Sequence, residues 1–221
     1  MISVDQPVRV KHCGITSLAD AELCAGAGAW ALGMIFAKES KRRIKLGEAA
    51  AIGAAFKRRI ELAGVFVNAP LDEVVMTADQ VGLTLVQLHG DEGPAYADEV
   101  ARRTGAKVIK AAQIGDAGDI QAIQAFTRVD FHLLDTRVDG ARGGTGETFD
   151  WRLASRHRGD IPVILAGGLT PDNVAEAIET VHPFAVDVAG GTEASPGVKD
   201  AAKVQAFMEA VASTVPQETT T

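Results

Sequence analysis

The chain has few cysteines and no long apolar run, and both shortages exclude classes of protein. Its two cysteines, Cys13 and Cys24, lie on different predicted elements, so we expect no disulfide and a reducing, cytoplasmic location. No stretch approaches the roughly 20 continuous apolar residues that a membrane-spanning helix needs. Residues 1–6 lack both a basic region and an apolar run, so we expect no secretory signal peptide.

Basic blocks and metal-ligand spacings are also missing. The 22 basic residues are outnumbered by 29 acidic ones, and the net charge of -7 disfavours a nucleic-acid partner. The five histidines show no ligand spacing, so we expect no metal site. What remains is a 47% hydrophobic chain, which is enough to bury a substantial core.

Alternation of short β-rich runs with longer helical patterns is the main signal of fold. The predicted strands are 9–13, 31–36, 62–67, 83–89, 107–114, 131–136, 162–166 and 185–188. The predicted helices are 17–28, 46–60, 70–81, 93–104, 119–129, 151–158, 171–181 and 199–213. Eight β–α units favour an α/β fold, a single (β/α)8 TIM barrel with a parallel eight-stranded sheet. A doubly wound open sheet is the alternative, although the turn after the first strand lacks its glycine fingerprint.

Boundary signals divide the chain further. We expect the barrel domain at 9–214, a flexible N-terminal segment at 1–8 and a disordered tail at 215–221. Gly105, after a basic last turn, predicts a helix end. The run Thr170-Pro171-Asp172-Asn173 predicts a capped helix with proline in its first turn, and Asp150 is a cap candidate.

Charged residues occupy the predicted strands, where an unpaired buried charge is unfavourable. They are Lys11, Lys110, Asp135 and Asp187, which we expect inside the barrel, where two positive and two negative groups would roughly neutralise each other. They suggest a polar site at the strand ends. Because side chains alternate across a strand, Lys11 and Cys13 share one side. His12 then faces the helix layer, where a hydrogen-bonded structural role is favoured.

Cys13 and Asp135 end two parallel strands, so a thiol and a carboxyl would stand across one pocket. This is the minimum equipment for moving protons on a carbon skeleton. Two interpretations of Cys13 are open. It is either a small buried hydrophobic residue, which is the common fate of a free cysteine, or a thiolate activated by Lys11. Cys24 lies mid-helix and is expected to pack in the core.

Glycine pairs follow the last two predicted strands. Gly167-Gly168 and Gly190-Gly191 are each compatible with a tight turn, and together they favour a phosphate site. Arg142-Gly143-Gly144-Thr145-Gly146 could form a loop, a lid or a further phosphate contact. Ser40-Lys41-Arg42-Arg43 is either a solvated charge run or a guanidinium fork for a carboxylate.

Taken in order, these segments resemble the phosphoribosylanthranilate isomerase family of tryptophan biosynthesis. The resemblance covers about residues 9–200. It is carried by Val10-Lys11-His12-Cys13-Gly14-Ile15-Thr16, Gly33-Met34-Ile35-Phe36, Ser40-Lys41-Arg42, Gly64-Val65-Phe66-Val67-Asn68, Val86-Gln87-Leu88-His89-Gly90-Asp91-Glu92, Leu134-Asp135-Thr136, Gly143-Gly144-Thr145-Gly146, Leu165-Ala166-Gly167-Gly168-Leu169, Val186-Asp187-Val188 and Pro196-Gly197-Val198-Lys199-Asp200.

The resemblance implies an intramolecular aldose–ketose isomerase. Such an enzyme carries out the Amadori rearrangement of N-(5-phosphoribosyl)anthranilate to 1-(2-carboxyphenylamino)-1-deoxyribulose 5-phosphate. Cys13 would be the general base and Asp135 the general acid. Substrate-binding residues would be Arg42 on the anthranilate carboxylate, Asp187 on the ribose hydroxyls, and Lys11, Gln87 and His89. The phosphate would be held by Gly144, Gly167, Gly168, Gly190 and Gly191.

The resemblance also implies the partners of the chain, and the chain differs from the family pattern at two places. The small phosphorylated sugar–anthranilate substrate is the expected partner, without cofactor, nucleic acid or membrane, and the chain is a monomer or homodimer. No cofactor is implied because acid and base both come from the protein. The family usually has an aliphatic residue at His12, and Ser-Ser-Gly-Val-Glu where this chain has Ala189-Gly190-Gly191-Thr192-Glu193.

Two other functions stay open at this point. One is a related sugar-phosphate epimerase or aldolase, the aldolase requiring a Schiff-base lysine, for which Lys110 is the candidate. The other is a phosphate-binding protein without catalysis.

Overall fold

The computed structural model describes residues 8–135 and 151–215, in which eight parallel strands close into a barrel. Each strand pairs with the next, and β8 returns to β1 with Lys11 opposite Asp187. The TIM-barrel prediction is confirmed, and the doubly wound alternative is wrong. The strands are β1 Arg9–Cys13, β2 Ala31–Ile35, β3 Glu61–Phe66, β4 Leu85–Leu88, β5 Lys107–Gln113, β6 Phe131–Asp135, β7 Val163–Ala166 and β8 Ala185–Val188.

Helices surround the barrel, and several are shorter than the sequence predicts. Gly105 ends α4 with φ 66°, as expected of a helix-ending glycine. Within the described ranges, none of the helices has the length and apolar character needed to cross a membrane. The helices are α1 Leu18–Gly26, α2 Leu46–Phe56, α3 Leu71–Val81, α4 Pro94–Thr104, α5 Ala117–Gln124, α6 Trp151–Ala154, α7 Val174–Val181 and α8 Ala201–Ala212.

The predicted start of the seventh helix is wrong. The Thr170 amide donates to Asn173 Oδ1 at 2.8 Å, which closes a separate turn before α7 begins at Val174. Pro171 therefore precedes the helix instead of occupying its first turn. Asp150, the other cap candidate, lies outside the described residues, as do residues 1–7 and 216–221 of the predicted loose ends.

Between β8 and α8 the chain forms a turn and a small hairpin that the sequence did not reveal. Gly190–Thr192 is a short 3-10 turn, and β9 Glu193–Ser195 pairs with β10 Val198–Lys199 in antiparallel fashion. Thr16 Oγ1 donates to the Gly197 carbonyl at 2.5 Å, so the hairpin is tied to the loop that follows β1. Strands of three and two residues are too short to show alternation.

An aromatic cluster closes the N-terminal end of the barrel. Trp30, Phe131 and Phe184 lie at the starts of β2, β6 and β8, with ring centroids 5.1 to 5.7 Å apart. The Arg9 guanidinium lies 4.3 Å from the centroid of Phe184. Each aromatic pair contributes about 0.5–1.5 kcal/mol beyond the area it buries. This end is packed for stability, which leaves the C-terminal end for chemistry.

Candidate active site

Cys13 and Asp135 are the last residues of β1 and β6, so both lie at the C-terminal rim of the parallel barrel. Leu133, two residues before Asp135, packs in the cluster that fills the barrel interior. Lys11, two residues before Cys13, is in register with Ala31 of the same cluster. Since side chains alternate, Cys13 and Asp135 both belong to the inward faces of their strands.

A buried ion pair lies below this rim. Lys11, which is fully buried, donates from Nζ to Asp187 Oδ1 at 2.9 Å. Burial lowers the pKa of Lys11, but the charges of Asp187 and Cys13 outweigh it, so the pKa is raised above its ordinary value. Lys11 therefore stays protonated inside the barrel, which compensates the Asp187 carboxylate.

The Cys13 thiol lies against a gap left by a glycine on the neighbouring strand. A Cβ added at Gly33 would lie 2.9 Å from Cys13 Sγ and 3.1 Å from Lys11 Nζ. Burial raises the pKa of the Cys13 thiol, and the charges of Lys11 and Lys199, which lower it, do not outweigh burial. Lys11 is thus placed beside the thiol as predicted, but the net shift of the pKa is opposite to that of an activated thiolate.

His89 links Gln87 to the Asp135 carboxylate. Gln87 Nε2 lies 2.9 Å from His89 Nδ1, and His89 Nε2 lies 3.7 Å from Asp135 Oδ2. With Gln87 as donor, the imidazole proton resides on Nε2 and faces Asp135. Burial lowers the pKa of His89 despite the charges of Asp135 and Asp187, so at neutral pH the ring is a neutral donor.

Arg42 lies at the rim in a fixed orientation. Its Nε donates to both carboxylate oxygens of Glu193 at 2.8 and 3.0 Å, and its Nη2 donates to Oε2 at 2.7 Å. A Cβ added at Gly190 would lie 3.4 Å from Arg42 Nη2, so the guanidinium stands beside the turn after β8. Lys41 and Arg43 are exposed. Arg42 thus presents a guanidinium fork that binds the Glu193 carboxylate in this structure, whereas Lys41 and Arg43 are solvated charges.

The two glycine pairs come together after β7 and β8. Gly167 and Gly168 have φ values of 98° and 63°, which glycine adopts without strain. A Cβ at Gly191 would overlap the Leu169 carbonyl oxygen, so the two segments are in direct contact. The first hydrogen bond of the 3-10 turn is donated by the Thr192 amide to the Ala189 carbonyl. The amides of Gly190 and Gly191 precede this bond in the chain and do not take part in it. Gly144, with the rest of the segment 142–146, lies outside the described residues.

Lys110 does not belong to the barrel interior, and the prediction that it does is wrong. Its neighbours on β5, Ile109 and Ala111, fill the interior, so Lys110 faces the helix layer. Its Nζ donates to the Gly90 carbonyl at 2.5 Å and to Glu92 Oε2 at 3.2 Å. Lys110, the Schiff-base lysine that the aldolase alternative requires, therefore lies outside the barrel interior.

His12 faces the helix layer as predicted, but it is not hydrogen-bonded. Its ring contacts Phe207 of α8 edge-on, at a centroid distance of 6.2 Å. Among the described residues, neither ring nitrogen has a hydrogen-bond partner. Burial, with the charges of Lys199 and Lys11, lowers the pKa of His12 to about 3, so the ring is neutral. Cys24 is fully buried in the core, as predicted.

Three further residues of the site received no individual role from the sequence, although they lie in the segments quoted above: Gly33, Glu193 and Lys199. Lys199 is buried, and its Nζ donates to the carbonyls of Cys13 at 2.8 Å and Ala189 at 3.0 Å. A glycine inside a strand signals close approach of other atoms, and that signal could have found Gly33. Within residues 8–135 and 151–215, no cluster of three or more histidine, cysteine or acidic side chains could hold a metal ion.

Comparison with known proteins finds close relatives of this chain in one family of isomerases. The family model described as N-(5'phosphoribosyl)anthranilate (PRA) isomerase matches residues 10–210. N-(5'-phosphoribosyl)anthranilate isomerase of Geobacter sulfurreducens is 51% identical over 201 residues, which cover 91% of this chain and 97% of the relative. The crystal structure of phosphoribosyl anthranilate isomerase from Thermotoga maritima superposes with a TM-score of 0.84 at 38% identity, covering 93% of this chain and 99% of that one. A solved phosphoribosyl anthranilate isomerase in complex with reduced 1-(o-carboxyphenylamino)-1-deoxyribulose 5-phosphate gives a TM-score of 0.81 at 37% identity, with the same coverage.

Proposed function

Since this chain belongs to the N-(5'-phosphoribosyl)anthranilate isomerase family and is an isomerase of tryptophan biosynthesis, we propose how its own residues perform the reaction. The reaction is the Amadori rearrangement of N-(5-phosphoribosyl)anthranilate, with Asp135 as general acid and Cys13 as general base. The observation that carries this assignment is the placement of both side chains on inward faces at the same rim of the barrel. A solved relative binds the reduced form of the proposed product, which supports the substrate class.

In the first step, Asp135 gives its proton to the ring oxygen of the ribose. The bond between C1′ and the ring oxygen breaks, and the nitrogen lone pair forms a C1′=N double bond, so the furanose opens to a protonated Schiff base. The His89 N–H, 3.7 Å from Asp135 Oδ2, is placed to stabilise the carboxylate that remains.

In the second step, the Cys13 thiolate removes the C2′ proton. The electrons of the C–H bond form a C1′=C2′ double bond and neutralise the iminium, which gives an enolamine. Loss of the proton on the C2′ oxygen and gain of one at C1′ yields the ketone. Lys11, beside Cys13 Sγ, stabilises the thiolate by its charge, and this opposes the effect of burial on the thiol.

Binding uses the charged and main-chain groups around the rim. Arg42 holds the anthranilate carboxylate through the guanidinium edge that Glu193 leaves open. Asp187 contacts the ribose hydroxyls, and Lys11, Gln87 and His89 complete the substrate contacts. Amides of Gly167, Gly168, Gly190 and Gly191 hold the phosphate, and Gly144 is assigned the same role from the family resemblance. Because main-chain amides do this, the missing serine hydroxyls at Ala189 and Gly190 are compatible with binding.

The test is the conversion of N-(5-phosphoribosyl)anthranilate, followed by chromatographic separation of substrate and product. Cys13→Ala and Asp135→Asn should each reduce kcat by about 100-fold or more, because each removes one proton-transfer group. Circular dichroism should show that both variants keep the fold.

Cys24→Ala is the matched control, because the Cys24 thiol lies on helix α1 and packs in the apolar core, not on the inward face of a strand. Its kcat should stay near that of the parent. A comparable loss in Cys24→Ala, or full activity in Cys13→Ala, would contradict the assigned base. A parent protein that binds phosphate without converting the substrate would contradict the proposed function itself.

A further inference from the structure

We infer that Lys199 is a positioning residue of this site, acting through Glu193 on Arg42 and through the end of β1 on Cys13. The inference rests on the proposed function, and it adds two residues, Lys199 and Glu193, that neither touch the reacting atoms nor belong to the substrate contacts proposed above.

Lys199 joins the two strand ends on which the proposed base and the phosphate turn are built. Its side chain is fully buried, and Nζ donates to the Cys13 carbonyl at 2.8 Å and the Ala189 carbonyl at 3.0 Å. A third bond, of 3.3 Å, goes to Thr192 Oγ1 in the 3-10 turn. An ammonium group has three protons, so Lys199 is saturated by these oxygens. It fixes the end of β1 relative to the turn that contains Gly190 and Gly191.

Glu193 carries the effect of Lys199 to Arg42. Lys199 Nζ lies 3.7 Å from Glu193 Oε1, and the Gly197 amide donates to the same oxygen at 3.3 Å. Burial raises the pKa of Glu193, but hydrogen bonds from Arg42 and the charge of Lys199 outweigh it, so the pKa is lowered and the group is a carboxylate. The carboxylate accepts hydrogen bonds from Arg42 Nε and Nη2. A carboxylate held from below therefore orients the guanidinium at the rim.

The charge of Lys199 also contributes to binding of an anionic substrate. Arg42 and Glu193 alone form a neutral pair, which would bind an anionic substrate weakly. Lys199 restores one positive charge beneath the rim, where low solvent exposure makes it effective. Burial lowers the pKa of Lys199, and the acidic groups that face it raise it in part. The titratable groups whose charges interact with that of Lys199 are Cys13 and His12 on β1, Cys24 on α1, Asp187 on β8 and Glu193 on β9.

Lys199→Met keeps most of the side-chain volume and removes the charge. With substrate, we expect KM to rise about tenfold or more and the pH profile of kcat to move to higher pH, because both Arg42 and Cys13 lose a neighbouring support. Glu193→Gln should raise KM while changing kcat less, since only Arg42 is loosened. Lys203→Met is the control, because Lys203 is exposed and reaches the Glu193 carbonyl, not its carboxylate.

A second readout does not depend on the substrate. In a Cys24→Ala background, the rate of Cys13 alkylation by iodoacetamide is measured across neutral and alkaline pH. At pH values below the thiol pKa, loss of the Lys199 charge should lower this rate, by up to about tenfold for each unit by which the thiol pKa rises. Lys199→Arg, which keeps the charge, should restore it.

Unchanged KM and unchanged alkylation in Lys199→Met, with an active parent, would overturn the inference. If the parent does not convert the substrate, but alkylation is slowed in Lys199→Met and not in Lys199→Arg, the proposed function is overturned. The effect of Lys199 on Cys13 is then still supported. If Lys199→Met fails to fold, Glu193→Gln decides, because an unchanged KM in that variant contradicts the path through Arg42.

Discussion

At the scale of single residues, Gly33 is the position where the inward face has least room. An added Cβ would meet Cys13 Sγ, the Cys13 Cα at 3.1 Å and Lys11 Nζ. A main-chain atom cannot swing aside as a flexible side chain can, so a methyl group here must displace the thiol, the lysine or the strand. The side chain of Cys13 therefore depends on the absence of one on its neighbour.

Gly33→Ala should lower kcat at least about tenfold and the free energy of unfolding by about 1–3 kcal/mol, because it overpacks the thiol. Kinetics and urea unfolding measure the two effects. Gly47→Ala is the control, since a Cβ at this position in α2 meets nothing within 4 Å. An unchanged kcat in Gly33→Ala would contradict this prediction, because the thiol could then move to accommodate the methyl group without loss of activity.

At the scale of elements, the turn between β7 and α7 is built around one side chain. Asn173 Oδ1 accepts from the Thr170 amide at 2.8 Å, and its Nδ2 donates to the Gly168 carbonyl at 3.1 Å. Both bonds hold the segment that contains the proposed phosphate amides. The turn thus stays in a conformation that its glycines alone would not maintain.

Asn173→Ala should raise KM about tenfold while leaving kcat within a few fold, because the phosphate amides lose their fixed orientation but the acid and base stay in place. Steady-state kinetics separate the two parameters. Asp172→Ala, at an exposed neighbouring position, should behave as the parent. A fall in kcat with constant KM would place Asn173 in the chemistry instead.

How much of this could be predicted differs from element to element. The end residues of β1 and β6 followed from strand position alone, since parallel strands end at one rim. Lys110 was misplaced because β5 is buried on both faces, so Val108-Ile109-Lys110-Ala111 shows no alternation that tells inside from outside. The role of Glu193 depends on a tertiary contact with Arg42 across 151 residues, which no local pattern encodes.

At the scale of the whole molecule, two buried histidines link stability to pH. Burial lowers the pKa of His12 to about 3 and that of His132 to about 4, whereas an unfolded histidine titrates near 6.5. The folded state therefore binds fewer protons than the unfolded state below that pH. Stability is present above about 6.5 and is lost as the pH falls toward the two folded-state values.

His12→Leu should raise the free energy of unfolding at neutral pH by about 1–3 kcal/mol, because it replaces a ring with two unpartnered buried nitrogens. It should also reduce the loss of stability between neutral pH and about pH 4, leaving the part due to the other histidines whose pKa burial lowers, which are His89, His132 and His157. Urea unfolding at a series of pH values tests both. An unchanged pH slope would mean that His12 does not gain a proton on unfolding.

The aromatic cluster at the closed end of the barrel contains a fluorophore that is remote from the active-site rim. Trp30 packs against Phe131 and Phe184 at the base, at the opposite end of the strands from Cys13 and Asp135. Its indole emission therefore reports on melting of the base and is blind to occupancy of the mouth. In a Trp151→Phe protein, where Trp30 is the sole indole, unfolding can be followed by indole emission with ligand present, because binding itself does not change the signal.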